Sequence, residues 1–303
     1  MSAVVHLAFV LAGLACLVAG GEAVVRGASA LADYFGVSTF FVGVTVVAVG
    51  SSVPEIVTSA SAAAYGAGDL LVGHIVGSVT SQITLGLGLV GVVSPLAVRR
   101  SKALTYGGGM LLAMLVMTAA VLTNGVARVE GLGMIALYLV VLALVARRED
   151  DAATASGATL GPRRAVPAVL LGLAVVLVGA NLVVTHGVPL ARALGVPRYL
   201  VGVVTGLGTT LPEVVVSIVA VSRGRDGIAV GTLLGSNITD PLFSLGVGAV
   251  VAGVHPTAPV ASSLAYMLVA SLGVVAALAW RERVGRALGV ACLLAFLPTF
   301  LLL

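Results

Sequence analysis

Long apolar stretches alternate along the chain with short breaks that carry charged residues or Gly and Pro. The stretches fall at 3–32, 38–64, 69–95, 103–122, 129–146, 165–186, 198–221, 227–252, 258–279 and 284–302. A helix needs about 20 apolar residues to cross a bilayer, and several of these runs are longer, which implies tilt or a break. A lipid-embedded barrel would show alternating segments of about ten residues. Here the runs are continuous and rich in Leu, Val and Ala. The pattern predicts an all-α polytopic membrane protein of about ten transmembrane helices. No basic segment precedes the first run, so it reads as a span rather than a cleaved signal peptide.

Composition narrows the class. Of 303 residues, 59% are hydrophobic and 9% charged, against roughly 25% charged in a soluble domain. So few charges cannot cover a water-facing surface, which excludes a soluble enzyme or a nucleic-acid binder. The net charge of +4 reports loop charges that set topology. With the N-terminus outside, the inner breaks hold Arg99, Arg100, Lys102, Arg147, Arg148, Arg163, Arg164, Arg223, Arg225, Arg281, Arg283 and Arg286. The outer breaks hold only Arg128, Arg192 and Arg198. An even number of spans then leaves both termini outside. The polar segment 147–164 is read as a cytoplasmic linker between a half at 1–146 and a half at 165–303. Cys16 and Cys292 lie in apolar runs and read as core residues.

The halves repeat. GSSVPEIVTS at 50–59 returns as GTTLPEVVVS at 208–217, and GHIVGSVTSQ at 73–82 as GTLLGSNITD at 231–240, both at an offset of 158. The copies extend over about 43–90 and 202–248. Five spans per half is an odd number, so the halves enter the membrane in opposite senses. Inverted repeats with Gly- and Pro-interrupted spans point to a transport site near the bilayer midplane.

The repeated segments carry the rare polar residues. Glu55 follows Pro54, and Glu213 follows Pro212; proline removes a helix hydrogen bond and frees a carbonyl. Ser51 and Ser52 stand one turn before Glu55, as Thr209 and Thr210 do before Glu213. Ser78 and Gln82 form an i, i+4 pair on one helix face, matched by Ser236 and Asp240. A carboxylate at membrane depth costs at least about 2.5 kcal/mol on insertion scales, and no Lys or Arg lies in these segments as a partner. The donor set is all oxygen, which suits Ca2+ and Na+ rather than soft metals.

These segments resemble the two α-repeats of the sodium/calcium exchanger branch of the cation/Ca2+ exchanger superfamily, through the G-[ST]-[ST]-x-P-E core and the G-x-x-x-G-S segment. The likeness covers essentially the whole chain. It implies a central site with Glu55 and Glu213 as main Ca2+ ligands. It also implies flanking Na+ sites that draw on Ser51, Ser52, Ser78, Thr209, Thr210, Ser236 and the carbonyls of Ala48 and Gly206. The chain departs from the family at His74 and Thr232, where Asn is usual, and at Val79 in Gly77-Ser78-Val79. Gln82, where Asn or Asp is more frequent, resembles the proton-coupled branch instead. His74 is expected either to tune a pH response or to bond a neighbouring helix.

The expected activity is antiport of Ca2+ against Na+ by alternating access, with Ca2+/H+ exchange as the alternative. The resemblance implies that the first and sixth spans slide against a fixed core. No GxxxxGK[ST] string is present for nucleotide-driven pumping. A channel would build its pore by oligomerisation, whereas this chain builds one site from two unequal copies. A reading from a different class is an intramembrane aspartyl protease, because Gly66-Ala67-Gly68-Asp69 spells GxGD, although no YD partner lies in another span. No cofactor is expected beyond the transported ions. The expected partners are Ca2+, Na+ or H+ and the lipid bilayer, with no nucleic acid, and a monomer suffices.

Overall fold

A computed structural model of the chain describes residues 2–123, 125–147, 160–194, 208–257 and 259–299. Among them run eleven helices: α1 (Ala3–Phe35), α2 (Thr39–Ser51), α3 (Val53–Ala64), α4 (Gly68–Val93), α5 (Arg100–Thr123), α6 (Arg128–Arg147), α7 (Pro162–Ala193), α8 (Leu211–Ser222), α9 (226–252), α10 (Ala261–Arg281) and α11 (Arg286–Phe296). Two short strands, β1 (Leu96–Ala97) and β2 (Arg283–Val284), complete the elements.

Six of these helices are long and apolar enough to cross a membrane: α1, α4, α5, α6, α7 and α10. The bent pair α2–α3 makes a seventh. Helices also occupy the other three expected spans, but with differences. Much of the seventh span lies outside the described residues, and α8, which begins after a turn at 208–210, is 12 residues long. Two α-helical stretches in α9 are joined by a π-helical turn. At 11 residues, α11 is too short by itself to span. The first run was expected to end at 32. It continues to Phe35, where Gly36 takes a left-handed conformation (φ 64°) and Val37 N–H closes back on the Ala32 carbonyl at 3.0 Å. Glycine is the residue that adopts this stop without strain. Most of the expected linker lies outside the described residues, and α7 already begins at Pro162.

The longest helices, α1 and α7, pack antiparallel along a track of small residues. Gly13 faces Gly179, Gly20 faces Gly172 and Gly27 faces Ala165. A Cβ on those three glycines of α1 would come within 2.8, 2.7 and 2.8 Å of the opposing carbonyl oxygens. Small residues allow such backbone approach within a membrane. The pair touches the rest of the bundle through Gly21, against Val216 and Val219 of α8, and through Leu173, which lies over Gly50 of α2. Near the start of α1 and the end of α7, His6 and His186 meet at 3.1 Å. Most side chains along α4 and α9 are buried, and these helices form the centre of the core.

Two clamps hold the ends of the bundle. β1 pairs antiparallel with β2, setting Leu96 opposite Val284. At the other end Val126 and Val254 form an antiparallel bridge, with N–H···O distances of 2.7 and 2.9 Å. All four residues are buried. Leu96 and Val254, and Val126 and Val284, are each separated by the repeat offset of 158. The internal symmetry therefore extends well beyond the motifs into the loops. Asp69 belongs to this architecture: its carboxylate accepts from the Thr257 backbone N–H at 2.5 Å and the Thr257 hydroxyl at 2.7 Å. It ties the start of α4 to the α9–α10 loop, which explains the Gly-rich GxGD string as a structural turn.

Candidate functional site

The site is built around the break between α2 and α3 and the start of α8. Ser52 leaves helical geometry (φ −77°, ψ 7°), and α2 and α3 meet at 44°. Pro54 has no N–H to return to the Gly50 carbonyl. Glu55 thus falls in the first turn of α3, where backbone N–H groups are unpaired and the helix dipole favours negative charge. Thr210, Pro212 and Glu213 repeat this arrangement at the start of α8.

A second paired feature lies in α4 and α9. Each contains a π-helical turn, over Gln82–Gly86 and Asp240–Ser244, that opens on a polar residue of the repeat. Single π turns inside α-helices concentrate at functional sites, since the widened turn redirects side chains and loosens carbonyls. Pro241 lies in the second turn, but Ile83 stands at its counterpart, so proline alone does not cause the geometry. A third π turn spans Gly43–Val47.

The structure brings six of the expected residues into mutual hydrogen bonds, Glu55, Ser78, Gln82 and Asp240 as one group and Ser52 and Glu213 as a pair. Ser78 Oγ lies 3.2 Å from Glu55 Oε1 and 3.3 Å from Asp240 Oδ2. With one proton, it donates to only one of them at a time. Gln82 Nε2 donates to Ser78 Oγ and to Asp240 Oδ2, both at 3.0 Å. Ser52 Oγ lies 3.4 Å from Glu213 Oε1. Ser51 Oγ lies 3.2 Å from the Ala48 carbonyl, which also accepts from the Ser52 N–H at 3.0 Å. Thr209, Thr210 and Ser236 each hold a buried hydroxyl oxygen with no hydrogen-bond partner. Gly206 lies outside the described residues.

Several relevant features were not read from the sequence. Ser244 Oγ lies 3.4 Å from Asp240 Oδ1, one turn along α9; its i+4 spacing in an apolar run was the available signal. Asn237 is wholly buried, with its Oδ1 unpartnered. His74, one turn before Ser78, has no hydrogen bond at Nε2, so the expected bond to a neighbouring helix is not made at that atom.

Glu55, Glu213 and Asp240 are each 0% exposed. Among the described residues no Lys, Arg or His pairs with them. Glu55 Oε2 and Glu213 Oε2 have no hydrogen-bond partner at all. Charges in such surroundings carry a desolvation cost of several kcal/mol each, which either a cation from outside the chain or a proton relieves. Among the described residues no three His, Cys, Asp or Glu side chains gather closely enough to hold a metal ion by themselves. A bound cation must therefore also take hydroxyl, amide or carbonyl oxygens, the ligands preferred by hard ions.

A helical bundle in two inverted halves, with buried acids in the first turns of two matching helices, is the architecture of a membrane transporter. Comparison with known proteins gives the family. The sodium/calcium exchanger protein family matches residues 5–147 and 165–303. The putative antiporter CaxA of Alkalimonas amylolytica is 32% identical over 262 residues, 82% of each chain. The inner membrane protein YrbG of Escherichia coli K12 is 30% identical over 257 residues, 79% of this chain and 78% of that one. A solved structure of the sodium-calcium exchanger NCX_Mj, soaked with Na+ and Sr2+, superposes with a TM-score of 0.86 at 27% identity, covering 100% of both chains. The chain belongs to the sodium/calcium exchanger protein family, and it is a multi-pass membrane transporter rather than an enzyme.

Proposed function

We propose that this chain exchanges Ca2+ for Na+ across the cell membrane by alternating access, with both ions as substrates of the Glu55–Glu213 site. The observation that carries this reading is that Glu55 and Glu213 are wholly buried at two half-helix starts, each with one carboxylate oxygen unpartnered. Ca2+ takes 6–8 oxygens. In this reading the two glutamates are its main ligands, while Asp240 and Gln82 complete the centre. Ser51, Ser52, Ser78, Thr209, Thr210, Ser236 and the carbonyls of Ala48 and Gly206 serve Na+. Ca2+ and Na+ compete for the same carboxylates, so occupancy by one excludes the other, which makes the cycle an exchange.

In the same reading, α1 and α7 slide as a pair over the bundle and open the site to each side in turn. The backbone-to-backbone track at Gly13, Gly20 and Gly27 supports treating them as one body. Both termini face outward and 147–164 is cytoplasmic, following the bias of basic residues. One copy of the chain holds the whole site, so the working unit is a monomer. Gln82 supports one competing reading, in which H+ replaces Na+, because its amide is committed to Asp240. Isothermal titration of the purified chain tests the ion competition. Ca2+ affinity falls as Na+ is raised at constant ionic strength and pH, and Ca2+ binding is lost in Glu213→Gln. A Ca2+ affinity indifferent to Na+ but lowered by acid favours the proton reading.

A further inference from the structure

The turn between α10 and α11 surrounds an open cavity of about 440 Å3 with Arg281, Arg283 and Arg286. Pro95, from the loop before β1, together with Gly285, Ala287 and Leu288, completes the wall. Among the described residues none of the three guanidinium groups makes a hydrogen bond or ion pair; Arg281 lies 5.9 Å from the ring of Trp280. The one acid of the turn, Glu282, accepts from the Arg100 backbone N–H at 3.3 Å. The first turn of α11 follows Gly285 with no side-chain cap, so its N–H groups add to the positive field.

An apolar surface runs away from this cluster. Trp280 is 82% exposed, and Val290, Leu294 and Leu297 are exposed along and just beyond α11. Tryptophan beside basic residues at a helix end marks the level of lipid headgroups, and basic pockets between spans recruit anionic ones. We propose that this cavity binds the phosphate-bearing headgroup of an anionic phospholipid, whose acyl chains lie along the exposed side of α11. The apolar strip favours a lipid over a soluble phosphate. A headgroup held there braces β2 and, through the Leu96–Val284 pair, the loop between α4 and α5.

Trp280 is the single tryptophan of the chain, so its fluorescence reports this place alone. The full chain is reconstituted in phosphatidylcholine vesicles that contain either brominated phosphatidylglycerol or brominated phosphatidylcholine. Brominated phosphatidylglycerol is expected to reach half-quenching at about fivefold lower mole fraction, the preference that one arginine beside an anionic headgroup confers. Arg283→Gln with Arg286→Gln removes the preference, and Lys at both positions keeps it. Arg128→Gln, at the opposite end of the bundle, leaves it unchanged; Arg281 is kept because it lies over the reporter. Equal quenching by the two lipids, or a preference that survives the double Gln substitution, overturns the proposal. So does calorimetric binding of inorganic phosphate that needs both arginines while the lipids show no difference, which assigns the cavity to a soluble anion.

Discussion

Gln82 and Asp240, at the same position of the two repeats, meet directly: Gln82 Nε2 donates to Asp240 Oδ2 at 3.0 Å. Each opens a π turn. The internal two-fold of the chain therefore passes through a contact between an amide and a carboxylate, and the two copies are chemically unequal at that point.

That contact predicts the effect of removing the amide. Gln82→Leu leaves Asp240 Oδ2 with Ser78 as its remaining described donor. The loss of a buried hydrogen bond to a charged group is worth about 1.5–3 kcal/mol, so Ca2+ binding should change by at least about tenfold in calorimetry. Gln82→Asn keeps the amide on a shorter arm; if Gln82 sets the coupling, this variant shows stronger dependence of Ca2+ flux on Na+.

Asp69 gives a prediction of the opposite kind. Its carboxylate bonds Thr257 twice. Asp69→Ala should lower thermal stability by about 1–3 kcal/mol while leaving Ca2+ exchange within about twofold of wild type per folded molecule. Loss of function in this variant, with Glu55→Gln and Glu213→Gln active, would point back to the protease reading.

The glycine track predicts a steric effect. In Gly20→Ala the new Cβ stands 2.7 Å from the Gly172 carbonyl oxygen. Overpacking of this kind costs about 1–3 kcal/mol, read as a lower melting temperature and slower flux. Gly108→Ala, where a Cβ meets nothing within 4 Å, should show neither change.

Much of this arrangement was legible in the chain because it depends on local chemistry. Pro54 next to Glu55, repeated as Pro212 next to Glu213, is a break and a charge in one string, and its recurrence exposes the inverted halves. The pairing of Leu96 with Val284 and of Val126 with Val254 was not legible. These are ordinary apolar residues, and their relation appears only once distant loops are brought together. The π turns at Gln82 and Asp240 were missed for a related reason: Ile83 shows that no particular residue forces them, so packing decides. Asp69 was legible only in part: the glycines around it point to a loop turn, but a four-residue string says nothing of the Thr257 backbone that occupies its carboxylate.

The central claim is that Glu55 and Glu213 hold the exchanged ions, and Ca2+ flux in reconstituted vesicles tests it most directly. Vesicles loaded with Na+ and diluted into Na+-free medium, at equal pH on both sides, should take up radiolabelled Ca2+; Glu55→Gln and Glu213→Gln should each reduce the rate by at least about 100-fold, the scale of losing an essential charged ligand. Uptake that ignores the Na+ gradient and follows an imposed pH gradient, or that persists in both Gln variants, would contradict it.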